Sequence, residues 1–119
     1  KSPLPWHLVL GHHPVISSGR HGGMLWMGQF IVELSGIDFF VSGHNHALEH
    51  VQTRGFDQII SGGGGSPIES SRNPRLENTL YYKECFGYIW AHMTRKAASF
   101  LYFDAEGNEV YRFEKSIPR

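Results

Sequence analysis

A mixed α/β fold is predicted for this chain: a βαβ unit with parallel strands, followed by antiparallel strands that close a sandwich. Trp6 to Leu10 and Phe39 to Ser42 are apolar, strand-like runs, each followed at once by a glycine and a histidine. The segment between them is long enough to cross over and return parallel. The final third has a different texture, with aromatic-rich runs separated by turn residues, which is the pattern of an antiparallel sheet.

Each element follows from its residues. Trp-His-Leu-Val-Leu (Trp6 to Leu10) and Phe-Phe-Val-Ser (Phe39 to Ser42) read as buried strands. Met24 to Leu34 reads as the crossover helix, with Leu25, Phe30, Ile31 and Leu34 roughly on one side and Gly36 as its C-terminal glycine. Ala47 to Thr53 and Gln58 to Ser61 are strands around the turn Arg54-Gly55-Phe56-Asp57, and Ser61 to Arg75, rich in Gly, Ser, Pro and Arg, is a long surface loop. Phe86 to Met93, Ala98 to Phe103 and Val110 to Glu114 are the last strands. Asp104-Ala105-Glu106-Gly107-Asn108 joins the final pair, with glycine at the left-handed position.

The chemistry concentrates in two loops, Gly11-His12 and Gly43-His44-Asn45-His46. Ligands in open α/β sheets gather outside the carboxyl ends of parallel strands, so the topology brings His12, His44 and His46 to one edge. A neutral imidazole nitrogen suits zinc, iron, manganese or nickel, at about 2.0 to 2.1 Å in the zinc case. A bare His-x-His is a common accident, but two such loops on one sheet edge make a metal site the better reading.

Val9-Leu10-Gly11-His12 and Gly43-His44-Asn45-His46 match the V-x-x-H and G-H-x-H motifs of the calcineurin-like metallophosphoesterases. The chain most resembles the carboxyl-terminal part of the purple acid phosphatase branch. Its surrounding sequence is similar to that of the tartrate-resistant acid phosphatases: Gly11-His12-His13-Pro14-Val15 then Ser17, a His21-Gly22 pair, the Gly-His-x-His loop, and Ser61-Gly62 opening a glycine run.

The resemblance implies a part of a four-layer αββα sandwich, with residues 1–119 forming the carboxyl-terminal part of the phosphoesterase domain. It implies hydrolysis of phosphomonoesters at a two-metal site holding iron with zinc, iron or manganese. His12 and His44 would bind the more labile divalent ion, His46 the other, and His21 would sit in the substrate pocket and act on the leaving oxygen. The family's acidic ligands have no counterpart here. Two cations about 3.5 to 4 Å apart need anionic oxygens between them, which three imidazoles cannot supply. The missing amino-terminal half of the domain is therefore the expected partner, and the chain alone should be a poor catalyst. The alternative is a non-catalytic metal- or phosphate-binding fragment, active only when a partner chain supplies the acidic ligands. A metallo-β-lactamase-like site is excluded, because His-x-His-x-Asp-His would need Asp and His where Leu48 and Glu49 stand.

Composition sets bounds on partners. The chain has 119 residues and a formal net charge of zero with histidines neutral, so no electrostatic footprint points to nucleic acid or an anionic membrane surface. No apolar run reaches spanning length. The single cysteine, Cys85, cannot form an internal disulfide and leaves the redox compartment unread. The family resemblance favours a secreted or periplasmic setting.

The other candidates have plainer readings. His13 should point away from His12 if the backbone stays extended, giving it a supporting or packing role. Arg20 is an ordinary exposed charge, with phosphate contact as the alternative. His7, His50 and His92 read as satisfied, half-buried strand histidines. Gly62 to Gly65 carries no Gly-Lys-Ser/Thr and is not a P-loop; a tight passage of backbone near the metal site suits it better. Trp26, Met27 and Cys85 read as packing residues.

Overall fold

The computed structural model describes residues 4–24, 26 and 36–117. Within them eight strands form two sheets. The first sheet holds β1 (Leu8–Leu10), β2 (Phe39–Ser42), β3 (Leu48–Gln52), β4 (Asp57–Ser61) and β5 (Thr79–Lys83), in the order β1-β2-β4-β3-β5. The second holds β6 (Gly87–Met93), β7 (Ala97–Asp104) and β8 (Glu109–Ser116) as an antiparallel meander. The expected crossover helix over 24–34 falls almost wholly outside the described residues.

The parallel core of the first sheet is as expected: β1 pairs with β2 and β2 with β4, both parallel. All three strands therefore end on the same edge. β3 lies antiparallel between β4 and β5, because the tight turn at 53–56 reverses the chain. Thr53 closes that turn, its backbone N–H donating to Phe56 O at 3.0 Å and its Oγ accepting from Phe56 N at 3.1 Å.

Two strands differ from the sequence reading. β1 is shorter than Trp6–Leu10 and is not buried: Leu10 is 75% exposed, because β1 is the sheet edge. β5 was not expected at all. Its sequence Thr-Leu-Tyr-Tyr-Lys has no clean alternation and follows a long loop, and it becomes a strand by pairing with β3, with a register shift between His50 and Val51.

The sheets face each other across a core of Phe39, Leu48 and Ile59 from the first and Ala98, Phe100 and Tyr102 from the second. Each large side chain buried there contributes about 1.5 to 3 kcal/mol. Period-two alternation does the sorting, since β7 turns Ala98, Phe100 and Tyr102 inward at every second position. The β7–β8 hairpin has Gly107 at φ 86°, the left-handed position expected of it.

A polar pin also joins the layers. His50, fully buried on β3, has Nε2 2.6 Å from Asp57 Oδ2 and Nδ1 2.8 Å from Tyr111 Oη, and its ring stacks on Phe113 at 3.7 Å. With Asp57 ionised, Nε2–H donates to the carboxylate and Nδ1 accepts from the tyrosine hydroxyl. Burying this polar group is thereby compensated at both nitrogens. His50 is thus the satisfied structural histidine the sequence implied, whereas His92 lies exposed on β6 and Trp26 is 74% exposed.

Candidate metal and phosphate site

The carboxyl ends of β1, β2 and β4 meet at one cavity of about 520 Å³, lined by His12, Gly43, His44, His46, Ser61, Gly62, Gly64, Gly65 and Ser66. The three histidines singled out by spacing thus border a common space. His12 Nε2 and His44 Nδ1 lie 3.2 Å apart. Two nitrogens bound at about 2.0 to 2.1 Å to one tetrahedral ion stand at roughly this separation.

The backbone is shaped to present these rings. Leaving β1, Gly11 N donates to Val41 O at 3.0 Å, and Gly43 N donates to His12 O at 3.1 Å, stapling one loop to the other. His44 has φ 67°, a left-handed conformation uncommon for a residue with a side chain and often found where function over-determines the backbone. Gly62 passes so close to the Asn45 carbonyl that an added Cβ would clash with it. The glycine run therefore serves the close backbone passage read from the sequence.

His46 is oriented by a backbone carbonyl. Its Nδ1 lies 2.7 Å from Pro67 O, and since a carbonyl can only accept, Nδ1 carries a proton there. Such backbone carbonyl partners commonly fix metal-binding imidazoles. Burial first, then the nearby His13, His21 and His12 rings, hold His44 below the ordinary imidazole value. Its neutral form is favoured.

His13 departs from expectation. The backbone bends at His12 and His13 instead of staying extended, so the His13 ring stands 4.9 Å from that of His12 and 4.3 Å from that of His44. Among the described residues, the ligand atoms of His12, His13 and His44 all lie within 4.8 Å of one another. The tight trio therefore includes His13, while His46, on the same loop as His44, borders the cavity without joining that trio.

His21 sits beside the cluster, its ring 4.8 Å from that of His44. Its Nε2 is 3.1 Å from Glu69 Oε2, and Glu69 Oε1 is 3.7 Å from His46 Nδ1. The hydrogen bond from His21 is the main cause that holds the Glu69 carboxyl below the ordinary value, so it is an ionised acceptor and His21 Nε2 carries a proton. Nδ1 is then the nitrogen available to a bound ligand.

Sequence reasoning missed the residues that hold this arrangement. Asn45, buried between the two histidines of its motif, accepts from His21 N at 2.9 Å and donates from Nδ2 to Ser17 Oγ at 2.8 Å and Gly22 O at 3.0 Å. Glu49 accepts from Ser17 Oγ at 2.7 Å and from Ser18 N at 2.9 Å. Gln58 accepts from Val15 N at 2.9 Å. A polar residue inside the motif was the only visible signal for Asn45; Glu49, Gln58 and Glu69 gave none, since their partners are remote in sequence.

The chain is 34% identical to purple acid phosphatase 7 of Arabidopsis thaliana over 119 residues, covering 94% of this chain and 36% of that protein. This chain is homologous to part of the purple acid phosphatases. Other members it matches are purple acid phosphatase 3 of Arabidopsis thaliana, at 25% identity over 98% of this chain and 34% of that protein, and the type 5 tartrate-resistant acid phosphatase of Rattus norvegicus, at 27% over 94% and 37%. It thus spans little more than a third of the length of these relatives. No protein-family model matches the chain. Among solved structures, the Plasmodium protein GAP50, described as the anchor in the inner membrane complex, has the same fold, with a TM-score of 0.88 over 97% of this chain and 38% of that one at 18% identity. The purple acid phosphatase relatives are phosphatases by name.

Proposed function

We propose that this chain supplies the histidine half of a two-metal site for phosphomonoester hydrolysis, with His12, His44 and His46 as ligands. The convergence of these residues on one cavity carries the reading. In this reading residues 1–119 are the carboxyl-terminal part of a calcineurin-like phosphoesterase domain, and the two sheets are the inner layers of a four-layer αββα sandwich. The ions would be iron with zinc, iron or manganese, and once bound they would polarise the phosphoryl oxygens and lower the pKa of water. The imidazoles would hold them through ring nitrogens, with Pro67 O orienting His46.

His21 acts on the leaving group. Glu69 takes its Nε2–H and Asn45 holds its backbone N–H, which together aim Nδ1 at the ester oxygen that departs. With Nε2–H held by Glu69, donation from Nδ1 requires the imidazolium form of His21, whose Nδ1 proton passes to the departing oxygen and leaves the neutral ring; this lowers the barrier most when the leaving alkoxide is basic. In the complete protein, His21→Ala should leave metal content unchanged and slow poor, high-pKa leaving groups by about 10²-fold or more. The loss should shrink for aryl phosphates, so a leaving-group series on the variant is the measurement. Equal loss across the series would make His21 a phosphate-positioning residue instead.

The bridging anions come from outside this chain. Among the described residues, the tightest ligand trio is wholly imidazole, and Glu69 is engaged by His21. The isolated chain should therefore bind divalent metal weakly and hydrolyse little or no phosphomonoester, with activity returning when a separately expressed upstream half is added. Robust turnover by the chain alone would show that other residues build the site. The same all-imidazole trio is what favours the second reading, a non-catalytic metal- or phosphate-binding piece that becomes active only when a partner chain supplies the acidic ligands, which predicts metal uptake by the chain alone without turnover.

A further inference from the structure

A second cavity, of about 470 Å³, is lined by Arg20, Ser70, Arg72 and Asn73. The chain itself ties it to the histidine cluster. Arg20 immediately precedes His21, and Ser70 immediately follows Glu69, the carboxylate that bonds His21 Nε2 at 3.1 Å. We propose that this cleft is an oxyanion subsite for a second phosphate group, so that small molecules bearing two phosphates are preferred over those bearing one. The inference rests on the reading of the histidine cluster as a phosphomonoesterase site and names its substrate class.

The walls of the cleft are braced. Ser71 Oγ donates to Ser18 O at 2.7 Å, and Asn73 Nδ2 donates to Gly19 O at 2.7 Å and Arg20 O at 3.3 Å. These bonds hold the loop carrying Arg72 against the loop carrying Arg20, and Ser18 is in turn fixed by the buried Glu49. Two arginines are thus kept on one cavity by bonds that use none of their own donors.

Their charge is not cancelled locally. Among the described residues neither Arg20 nor Arg72 forms an ion pair. The acids nearby are committed elsewhere: Glu69 to His21, and Glu84 to Ser71 N at 2.7 Å and Tyr82 Oη at 2.8 Å. Arg75, the next arginine along, lies over the Tyr82 ring at 3.8 Å. Like charges confined to one cleft repel, and a phosphate relieves that repulsion while accepting from planar guanidinium forks, the geometry in which arginine binds this group best. Ser70 adds a hydroxyl on the same wall.

The test compares kcat/KM for a hexose bisphosphate and the matched monophosphate in the complete protein. Arg20→Gln and Arg72→Gln should each lower the bisphosphate preference roughly tenfold, mainly through KM, and the preference should weaken with salt. An unchanged preference in the double variant, or an equal loss on both substrates, would overturn the proposal. A second arm titrates inorganic phosphate into chelator-treated protein and follows the amide NMR signals of Arg72 and Asn73. Shifts that vanish in the double variant support an anion site in the cleft, and no shifts in the wild type overturn it. If neither sugar phosphate is hydrolysed, the phosphomonoesterase reading fails and the titration alone decides the subsite. Phosphate binding in an active enzyme that shows no bisphosphate preference would make the cleft a free-anion site and overturn the substrate role. Both arginines are exposed, so circular dichroism should show both variants folded.

Discussion

In the complete protein, His44→Ala should lower metal occupancy and reduce hydrolysis of alkyl and aryl phosphates alike by more than the roughly 10- to 100-fold that loss of a supporting residue costs. Two features make it the most sensitive position. Its Nδ1 lies 3.2 Å from His12 Nε2, so removing the ring deletes half of the closest ligand pair. Its backbone is held at φ 67° by flanking bonds from Gly43 N to His12 O and from Asn45 N to Gly43 O, and alanine tolerates that conformation less well. Metal analysis of the purified variant, alongside rates on both substrate types, is the measurement. Full metal content with near-normal rates would remove His44 from the ligand set, and His13, the third member of the tight trio, would be the next ligand to test. The contrast with His21→Ala is diagnostic, because loss of a leaving-group donor spares metal content and depends on the leaving group, whereas loss of a ligand does neither.

The second large effect is on stability. Glu49 is fully buried and its carboxylate accepts from Ser17 Oγ, Ser18 N and Thr79 Oγ1. Glu49→Ala strands these donors in the interior and should destabilise the fold by about 2 to 5 kcal/mol, measured by urea denaturation. The damage should reach the site, since Ser17 also accepts from Asn45, which positions His21. A loss below about 0.5 kcal/mol, the level of an ordinary surface substitution, would mean that the network is dispensable.

The same residue gives stability a pH dependence. Burial raises the Glu49 carboxyl above its ordinary value of 4.5, outweighing the hydrogen bonds from Ser17, Ser18 and Thr79 that favour the charged form. The folded state thus holds this proton more tightly than the unfolded chain. Its contribution is fully present below pH 4.5 and is lost as pH rises through the raised folded value. Relative to Glu49→Gln, which does not titrate, the wild type should therefore lose stability as pH increases across that window. A difference that is flat with pH would show that Glu49 has the same affinity for its proton folded and unfolded.

Much of this architecture was legible in local pattern. The β2 run Phe39 to Ser42 is a buried strand with the expected bounds, β7 alternates as written, and Gly107 takes the left-handed position that the hairpin demanded. The strand β5 was not legible, because its partner β3 lies a long loop away and its own residues show no period. His13 was misplaced for a local reason: the alternation argument assumes an extended backbone, and the chain bends at that residue.

For the site, the sequence by itself determined which histidines border the shared cavity. Glycine–histidine pairs after two apolar runs name His12, His44 and His46, and parallel strands then oblige them to share an edge. Only the tertiary structure decided what surrounds them. Glu69 reaches His21, Glu49 and Asn45 fix the 17–22 loop, and Arg20 and Arg72 come to line one cleft, through contacts spanning from 23 to more than 50 positions of chain. Histidines placed at strand ends are recognisable by residue type and spacing because a strand end and its loop are local geometry. Hydrogen bonds and charge pairs between remote loops depend on how the sheets pack, and no local pattern encodes that packing.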